Sequence, residues 1–337
     1  MSDPLWALSP AERRLLRPVT HGHGLEGREP MLATLTHERF SDERWLYERK
    51  LDGERCVAVR EGGRVDLFSR NGLSAASAYP ELIDALTERA TVDWVLDGEV
   101  VAFEHGRTSF ARLQPRMHVS SPEQARRTGV TVYYYLFDVQ AIGDHDVTAL
   151  PLRRRKSLLR PLLTWSDPLR LTAYRYRDGE TYYRDACAHG WEGLIAKRVD
   201  SSYQHGRSRD WLKLKCERRQ ELVIGGWTDP RRTRPGLGAL LLGYFSDGDL
   251  VYAGKVGTGF DTRTLEALAR QLTELRTPTC PFTRGAPPTG SGVNWARPEL
   301  VAEIAFTEWT AEGRLRHPRF LGLRRDKPAR EVVREEP

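Results

Sequence analysis

The 337-residue chain has a formal net charge of +6 and an isoelectric point near 9.2, which favours a polyanionic partner such as a nucleic acid or a nucleotide. No apolar run approaches the roughly 20 residues of a membrane span, and the N-terminus lacks a signal-peptide core, so a cytoplasmic protein of about two domains is expected. The four cysteines are widely separated and form no Cys-x-x-Cys pair, which indicates neither a zinc site nor a disulfide framework.

Residues 1–30 are rich in Pro, Gly and Arg and are predicted to form an irregular N-terminal lead-in. Strand-like runs follow, beginning with two alternating segments around Gly62-Gly63 that predict a hairpin. Further strands are predicted in DWVLDGEVVAF, VYYYLFDV and EGLIAKRV, and helices in YPELIDALTERA and LRRRKSLLRPLL. The pattern predicts an α+β domain of mainly antiparallel sheets over residues 31–217, without a glycine-rich or Walker-type phosphate loop.

A second pattern covers residues 221–337, after a linker predicted at 217–220. It contains a strand from Glu221 to Trp227, a hairpin turning at Asp247-Gly248-Asp249 and an amphipathic helix from Asp261 to Arg276. A last alternating strand lies in LVAEIAFTEWT. Several strands with one helix predict a small Greek-key barrel of the OB-fold type.

Lysine is rare, because only seven of the 52 Lys and Arg residues are lysines. Arginine stays charged at any physiological pH, whereas lysine can lose its proton and act as a nucleophile or base, so the lysines mark candidate chemistry. If residues 46–52 are extended, Glu48, Lys50 and Asp52 project to one side and Trp45 and Tyr47 to the other. The alternative is a solvated edge strand with an accidental ion pair.

Two more segments carry paired charges. Lys213 and Lys215 lie two residues apart on one face of a predicted strand, which indicates either a shared pocket or an exposed basic face. Asp97 and Glu99 share a side if the strand continues through Gly98; otherwise Asp97-Gly98 is a hairpin turn.

Six short segments carry these residues in chain order: Lys50-Leu51-Asp52-Gly53-Glu54-Arg55, Ser69-Arg70-Asn71-Gly72, Leu96-Asp97-Gly98-Glu99, Tyr135-Leu136-Phe137-Asp138, Glu192-Gly193-Leu194-Ile195-Ala196-Lys197 and Trp211-Leu212-Lys213-Leu214-Lys215. Together they resemble the successive motifs of covalent nucleotidyltransferases, specifically the ATP-dependent DNA ligases. The segment from Arg316 to Lys327 resembles the C-terminal motif that this family carries on its OB domain. The residues within these motifs are most similar to those of the ligase module of bacterial end-joining ligase D and of stand-alone ligase C-type relatives.

The resemblance implies a nucleotidyltransferase (adenylation) domain followed by an OB-fold domain, and it implies a role for each matching residue. Lys50 would be the catalytic nucleophile that attacks the ATP α-phosphate, forms lysyl-AMP and passes the AMP to a DNA 5′-phosphate, after which a 3′-hydroxyl seals the nick. The implied ATP-binding residues are Glu48, Arg55, Arg70, Glu99, Phe137, Arg209, Lys213 and Lys215. The implied pyrophosphate-orienting residues are Arg316, Arg324, Asp326 and Lys327, and the implied ligands of Mg²⁺ or Mn²⁺ are Glu99 and Glu192.

Two lysines fit less simply. On an ideal strand Glu192 and Lys197 face opposite sides, and Glu192 is the preferred site residue of the two. Lys156 in LRRRKSLL matches no motif and is predicted to lie on a solvated helix face.

Two other functions stay open at this stage. An RNA ligase or a capping-type nucleotidyltransferase would use the same lysine, and a non-catalytic OB-type protein would bind nucleic acid through its basic charge alone. For a DNA ligase the expected partner is nicked or broken duplex DNA, together with a Ku-type end-binding protein. The chain is expected to be a nucleoid-associated monomer without membrane contact.

Overall fold

The computed structural model describes residues 4–19, 29–89, 92–117, 119–216, 218–230 and 236–335. The chain divides into two compact units, Met1–Cys216 and Glu217–Glu336. In the described ranges, none of the helices has the length and apolar character needed to cross a membrane.

The first unit contains both strands and helices. Its strands are β1 (Arg17–Pro18), β2 (Met31–Leu35), β3 (Trp45–Arg49), β4 (Glu54–Glu61), β5 (Arg64–Ser69), β6 (Trp94–Glu104), β7 (Arg107–Thr108), β8 (Val132–Ile142), β9 (His145–Asp146), β10 (Leu169–Leu171), β11 (Tyr174–Tyr176), β12 (Gly193–Arg198) and β13 (Gly206–Lys215). Its α-helices are α1 (Pro10–Arg13), α2 (Pro80–Glu88), α3 (Phe110–Leu113), α4 (Pro122–Arg127), α5 (Leu152–Leu159) and α6 (Gly179–Ala188). Short 3₁₀ helices cover Pro4–Ala7, Ala76–Ala78 and Gln114–Arg116.

These strands form two sheets. The larger has the order β1-β9-β8-β6-β4-β5, with β10 added beside β8 and β7 beside β6, and the smaller has the order β11-β3-β12-β13-β2. Most neighbouring strands are antiparallel, while β10 runs parallel to β8 and β2 parallel to β13. The predicted α+β fold with mainly antiparallel sheets is confirmed.

Each face of the smaller sheet has its own partners, as the alternation of side chains requires. Tyr47, Leu194 and Leu214 pack against Tyr182 and Tyr183 of α6 and form a buried apolar cluster. The polar residues of the same strands therefore project from the opposite face. The predicted separation of Glu48 and Lys50 from Trp45 and Tyr47 is confirmed.

The N-terminal residues are more ordered than the predicted irregular lead-in. Ser9 caps α1 in a reciprocal capping box with Glu12. Leu5 and Leu8 are buried in the main core of the first unit, and Glu12 forms an ion pair with Arg154. Residues 1–3 and 20–28 of this segment lie outside the described residues.

The second unit is built from β14 (Arg218–Thr228), β15 (Leu240–Ser246), β16 (Asp249–Val256), α7 (Thr262–Glu274), β17 (Arg276–Thr277), β18 (Val293–Ala296), β19 (Val301–Phe306), β20 (Glu308–Trp309), β21 (Leu315–Arg316) and β22 (Arg319–Arg324), with a 3₁₀ turn at Ala329–Glu331. Its main sheet has the order β16-β15-β14-β18-β17, and β19 joins β14 to β22. Strand β14 already includes residues 218–220, which the sequence assigned to a linker.

Two local predictions for this unit are confirmed. Asp247 and Gly248 both have positive φ, 55° and 87°, and turn the chain between β15 and β16. Asp261 caps α7 through the backbone N–H of Thr264, and the helix buries Leu265, Leu268 and Leu272. The second unit is the OB-fold domain that the sequence predicts.

The structure corrects the prediction that the cysteines form no disulfide. Cys187, near the end of α6, is bonded to Cys216, directly after β13. A separation of 29 residues gives no sequence signal, because the two positions meet only when α6 packs on the smaller sheet. The bond closes a loop that contains Glu192, Lys197 and the whole of β13.

Replacing Cys187 with serine is expected to lower the free energy of unfolding by about 3 to 4 kcal/mol without reductant, since the open chain gains entropy in the unfolded state. Urea unfolding with and without dithiothreitol measures this effect, and reductant should bring the wild-type protein to the level of the variant. Cys280→Ser, at a free cysteine of the second unit, is the control. Equal stability of wild type and C187S without reductant would contradict the prediction.

Candidate active site

The smaller sheet brings the predicted charged residues together in rows across its strands. The backbone N–H of Lys50 donates to the Gly193 carbonyl at 2.9 Å, and Gly193 pairs with Lys215. In the next row Ile195 lies between Glu48 and Lys213. Residues directly opposite in an antiparallel pair share a face. The two lysines of β13 share one face, as the sequence predicts, and the register shows that it is the face of Lys50.

A cavity opens between the two sheets of the first unit. The larger sheet contributes Arg55, Glu99 and Phe137 to its wall. The complete lining is Ala33, Glu48, Arg49, Lys50, Leu51, Arg55, Glu99, Phe137, Ile195, Lys197 and Trp211. Five predicted site residues therefore share one cavity, with an aromatic side chain and carboxylates close to the candidate nucleophile.

Lys50 forms an ion pair with the predicted metal ligand Glu192. The Nζ of Lys50 lies 2.7 Å from Oε2 of Glu192, and the side chains are 21% and 4% exposed. Glu192 precedes β12, and Gly193 has φ 146°; a Cβ there would lie 1.9 Å from the Leu214 carbonyl oxygen. Because Glu192 lies outside the regular strand, both Glu192 and Lys197 reach the site. Lys197 is therefore a candidate site residue as well as Glu192.

Glu48 is buried between two lysines. Its Oε1 accepts a hydrogen bond from Lys156, and its Oε2 lies 2.7 Å from Nζ of Lys197. The Lys197 ammonium also lies 4.1 Å and 3.8 Å from the ring centres of Phe137 and Trp211. The pKa of Lys197 is lowered to about 8, chiefly by burial, with Glu48 opposing the shift and Lys156 adding to it. Glu48 is thus fixed on the cavity wall by cations on both oxygens.

The prediction that Lys156 lies on a solvated helix face is wrong. Its side chain is 3% exposed. The signal that could have found it is helical spacing, because Lys156 lies on the same face as Leu152 and Leu159, both of which are fully buried. A lysine on an apolar helix face needs a buried partner, and Glu48 is that partner.

Arg55 is held by Asp97, which the sequence did not assign to the site. The Nε and Nη2 of Arg55 each lie 2.6 Å from an oxygen of Asp97, and the Tyr203 hydroxyl donates to the same carboxylate at 2.5 Å. Burial opposes the charge of Arg55, but Asp97 outweighs it and raises the guanidinium pKa. The guanidinium also lies over the Phe137 ring at 4.6 Å. Arg55 is therefore anchored in place before any ligand binds.

The hairpin alternative at Asp97-Gly98 is excluded, because both residues lie within β6. A Cβ on Gly98 would come within 2.6 Å of the Tyr135 carbonyl oxygen, so the close approach of β6 and β8 requires glycine. Asp97 and Glu99 therefore project from the same side of an extended strand.

Two further predicted nucleotide contacts, Arg70 and Arg209, are not in the wall of this cavity. Arg70 is half-buried in the turn after β5, and Arg209 is exposed on β13. Neither is among the described residues that line the cavity.

In the second unit, all four residues of the predicted pyrophosphate-orienting set form ion pairs. Arg324 binds both oxygens of Asp326 at 2.9 and 2.8 Å and also reaches Glu303 at 3.2 Å. Lys327 donates to Glu221 at 3.0 Å. Arg316 instead pairs with Glu308 at 2.6 Å across the separate β20–β21 pair.

The candidate ligands of a divalent cation in the first unit are the carboxylates of Glu99 in the cavity wall and of Glu192 beside Lys50. Among the described residues no group of three or more His, Cys, Asp or Glu side chains is arranged to hold a metal ion. Mg²⁺ is commonly held by one or two carboxylates together with substrate phosphates. The residues present fit a cation that binds together with a nucleotide.

Comparison with known proteins identifies the family. A family model described as "ATP dependent DNA ligase domain" matches residues 30–215, and one described as "ATP dependent DNA ligase C terminal region" matches residues 233–327. The chain belongs to the ATP-dependent DNA ligase family. The two matches fall on the two compact units.

Individual relatives of this ligase family member agree with the family models. It is 39% identical over 315 residues to the multifunctional non-homologous end joining protein LigD of Pseudomonas aeruginosa, covering 91% of this chain and 36% of that protein. It is 32% identical over 320 residues to DNA ligase C1 of Mycolicibacterium smegmatis, covering 89% of this chain and 90% of the relative. A solved structure of mycobacterial DNA ligase D complexed with ATP and MES matches with a TM-score of 0.65 and 35% identity, covering 91% of this chain and 98% of that one. The chain spans 36% of the length of the Pseudomonas aeruginosa LigD protein and 40% of the length of the LigD protein of Mycobacterium bovis.

Proposed function

We propose that this member of the ATP-dependent DNA ligase family seals nicks between a DNA 5′-phosphate and 3′-hydroxyl through a lysyl-AMP intermediate on Lys50. The observation that carries the proposal is the environment of Lys50, which is paired with Glu192 in a cavity that Phe137 and Arg55 help to form. Lys213 and Lys215 lie on the same sheet face and supply positive charge. A nucleophile, a candidate proton acceptor, an aromatic surface and phosphate-binding cations are thus close together.

In the first step the Lys50 amine attacks the α-phosphorus of ATP. A lysine with an ordinary pKa of about 10.4 is almost fully protonated near neutral pH, so the ammonium must first lose a proton. Glu192, at 2.7 Å, is positioned to accept it. The new N–P bond forms as the bond to pyrophosphate breaks, and Lys213 and Lys215 stabilise the charge on the phosphate oxygens.

Side chains of the cavity orient the nucleotide. The family resemblance assigns Phe137 to stacking on the base, Glu48 in the cavity wall to the base edge, and Arg55 and Arg70 to the ribose and the nick phosphate. Glu99 and Glu192 would hold Mg²⁺ or Mn²⁺, which when bound supplies further positive charge at the phosphates. Arg316, Arg324, Asp326 and Lys327 of the second unit would orient the leaving pyrophosphate, and Arg209 would add a nucleotide contact; family resemblance supports these roles.

In the next steps AMP passes from Lys50 to the DNA 5′-phosphate, and the 3′-hydroxyl displaces AMP to join the strand. The net charge of +6 favours binding to the DNA backbone. The names of the LigD relatives support a place in end joining, with broken duplex DNA as substrate and a Ku-type protein as recruiting partner. We propose that the protein acts as a monomer associated with the nucleoid.

The test is incubation of the wild-type protein with ATP labelled at the α-phosphate and Mg²⁺ or Mn²⁺, followed by denaturing electrophoresis and sealing assays. We expect a labelled protein band and ATP-dependent joining of a nicked DNA duplex. If the protein forms no adduct after any bound AMP has been removed, it is not a nucleotidyltransferase, and salt-sensitive DNA binding without an adduct would favour the OB-type binding protein.

The preferred nucleotide and the preferred nucleic-acid strand distinguish a DNA ligase from an RNA ligase or a capping-type nucleotidyltransferase. A guanylyltransferase of the capping type would label with GTP instead of ATP, and an RNA ligase would join nicked RNA faster than nicked DNA. We expect labelling with ATP and faster joining of DNA.

A further inference from the structure

We propose that Lys156 is a positioning residue for nucleotide binding, which acts by fixing the carboxylate of Glu48 on the wall of the ATP cavity. Lys156 lies in α5, outside every segment that resembles a ligase motif. The inference rests on the proposed adenylation of Lys50, because that reaction supplies the nucleotide that Glu48 would meet.

The contacts make Lys156 part of the site although it does not line the cavity. Lys156 and Glu48 are each 3% exposed, and each oxygen of Glu48 has its own lysine, Lys156 at Oε1 and Lys197 at Oε2. A carboxylate with cations on both sides has little freedom to rotate. Each oxygen retains a further lone pair, so Glu48 can still accept a hydrogen bond from a ligand in the cavity.

Helix α5 holds Lys156 firmly. Leu152, Leu158 and Leu159 of α5 are buried in the first unit. Arg155, the preceding residue, binds Asp138 through two hydrogen bonds of 2.8 and 3.0 Å. Buried leucines and the Arg155–Asp138 pair thus fix the helix that places the Lys156 ammonium beside Glu48.

The negative charge of Glu48 explains why two lysines, and not one, contact its carboxylate. A buried carboxylate on the wall of a cavity that receives a triphosphate would repel that ligand unless cations compensate it. The charged groups that act on Lys197 are Glu48 from β3, Lys156 from α5 and Asp138 from β8, and its pKa of about 8 means that it loses its charge in mildly alkaline solution. Lys156 is the second cation on Glu48, at the oxygen that Lys197 does not contact.

The experiment compares wild type, Lys156→Met and Lys156→Arg by the rate of labelled adduct formation as a function of ATP concentration. We expect K156M to raise the KM for ATP about tenfold with kcat within about threefold, since the contact orients the nucleotide without touching the reacting atoms. K156R keeps the charge and should restore KM to within about threefold of wild type. Arg153→Met, at an exposed residue of the same helix that pairs with Asp200 at the surface, should leave both constants unchanged.

Two further readouts separate positioning from general loss of structure. In wild type the KM for ATP should change with a midpoint near pH 8, as Lys197 loses its proton. Removing the Lys156 charge raises the pKa of Lys197, so the midpoint should move to higher pH in K156M. An unmoved midpoint would overturn the inference.

The Glu48→Gln/Lys156→Met double variant removes both partners, leaves no buried carboxylate without its lysine, and keeps the test valid if K156M fails to fold. If Lys156 acts through Glu48, the double variant should have the same KM as Glu48→Gln alone, whereas an additional tenfold rise would overturn the inference. Wild-type adduct formation with an unchanged KM in K156M would also overturn it and leave the proposed function intact. No adduct in wild type would overturn both.

Discussion

Lys50→Arg is expected to abolish formation of the labelled lysyl-AMP adduct, with a loss of at least about a thousandfold relative to wild type. Arginine retains the positive charge beside Glu192, but its guanidinium does not lose a proton near neutral pH and cannot form the bond to phosphorus. The measurement is adduct formation with α-labelled ATP, scored by denaturing electrophoresis. Labelling of K50R at a wild-type rate would show that another residue is the nucleophile.

The control for this prediction separates chemistry from folding. The final sealing step uses AMP already attached to DNA, so K50R should still join a nicked duplex that carries a pre-adenylated 5′-phosphate. Lys255→Arg, at an exposed lysine of the second unit, should label as wild type does. If K50R also fails on pre-adenylated DNA, the substitution has damaged the whole site, and the loss of adduct says nothing specific about nucleophilicity.

The residues around Lys50 that the sequence predicts well are those governed by strand alternation. A period of two residues fixes which side chains of one strand share a face, so it places Glu48 with Lys50, and Lys213 with Lys215, while the register of β3, β12 and β13 brings the two pairs together. The hairpin at Gly62-Gly63 and the amphipathic helix α7 also follow from local patterns. These features depend on neighbours within a few positions along the chain.

What the sequence does not give is the set of contacts between distant segments. Lys156 meets Glu48 across 108 residues, Tyr203 meets Asp97 across 106, and Cys187 meets Cys216 across 29. Each pair forms only because separate elements pack together, and no local spacing reports that packing. Helical spacing could have indicated that Lys156 is buried, which the sequence prediction missed, but the identity of its partner requires the fold.

The same limit applies at Glu192. Alternation predicts that Glu192 and Lys197 oppose each other, yet β12 begins only at Gly193, so the rule covers Lys197 and not Glu192. The glycine conformation and the close Leu214 carbonyl decide the direction of Glu192. A residue at the edge of a strand therefore needs its backbone conformation before its face can be assigned.

The largest effect on stability is expected from Asp138→Asn, which should lower the free energy of unfolding of the first unit by about 3 to 5 kcal/mol. Asp138 and Arg155 are both fully buried, and the variant leaves the guanidinium of Arg155 without its counter-charge. Hydrogen bonds from Nη1 of Arg155 to the carbonyls of Leu150 and Ser201 satisfy the two N–H groups of that nitrogen but do not neutralise the guanidinium. Urea unfolding at neutral pH measures the loss.

A variant of an exposed ion pair and a measurement of stability against pH check the prediction for Asp138→Asn. Asp200→Asn makes the same change in an ion pair with Arg153 whose side chains are 58% and 56% exposed, and it should cost no more than about 1 kcal/mol. Burial opposes ionisation of Asp138, but Arg155, with smaller contributions from Lys197 and Lys156, outweighs it and lowers the carboxyl pKa. Because the folded-state pKa lies below that of the unfolded chain, the stabilisation is complete above about pH 4 and is lost as the pH falls further. The difference between wild type and D138N should therefore shrink in acid, and a difference that grows below pH 4 would mean that Asp138 is not ionised in the folded protein.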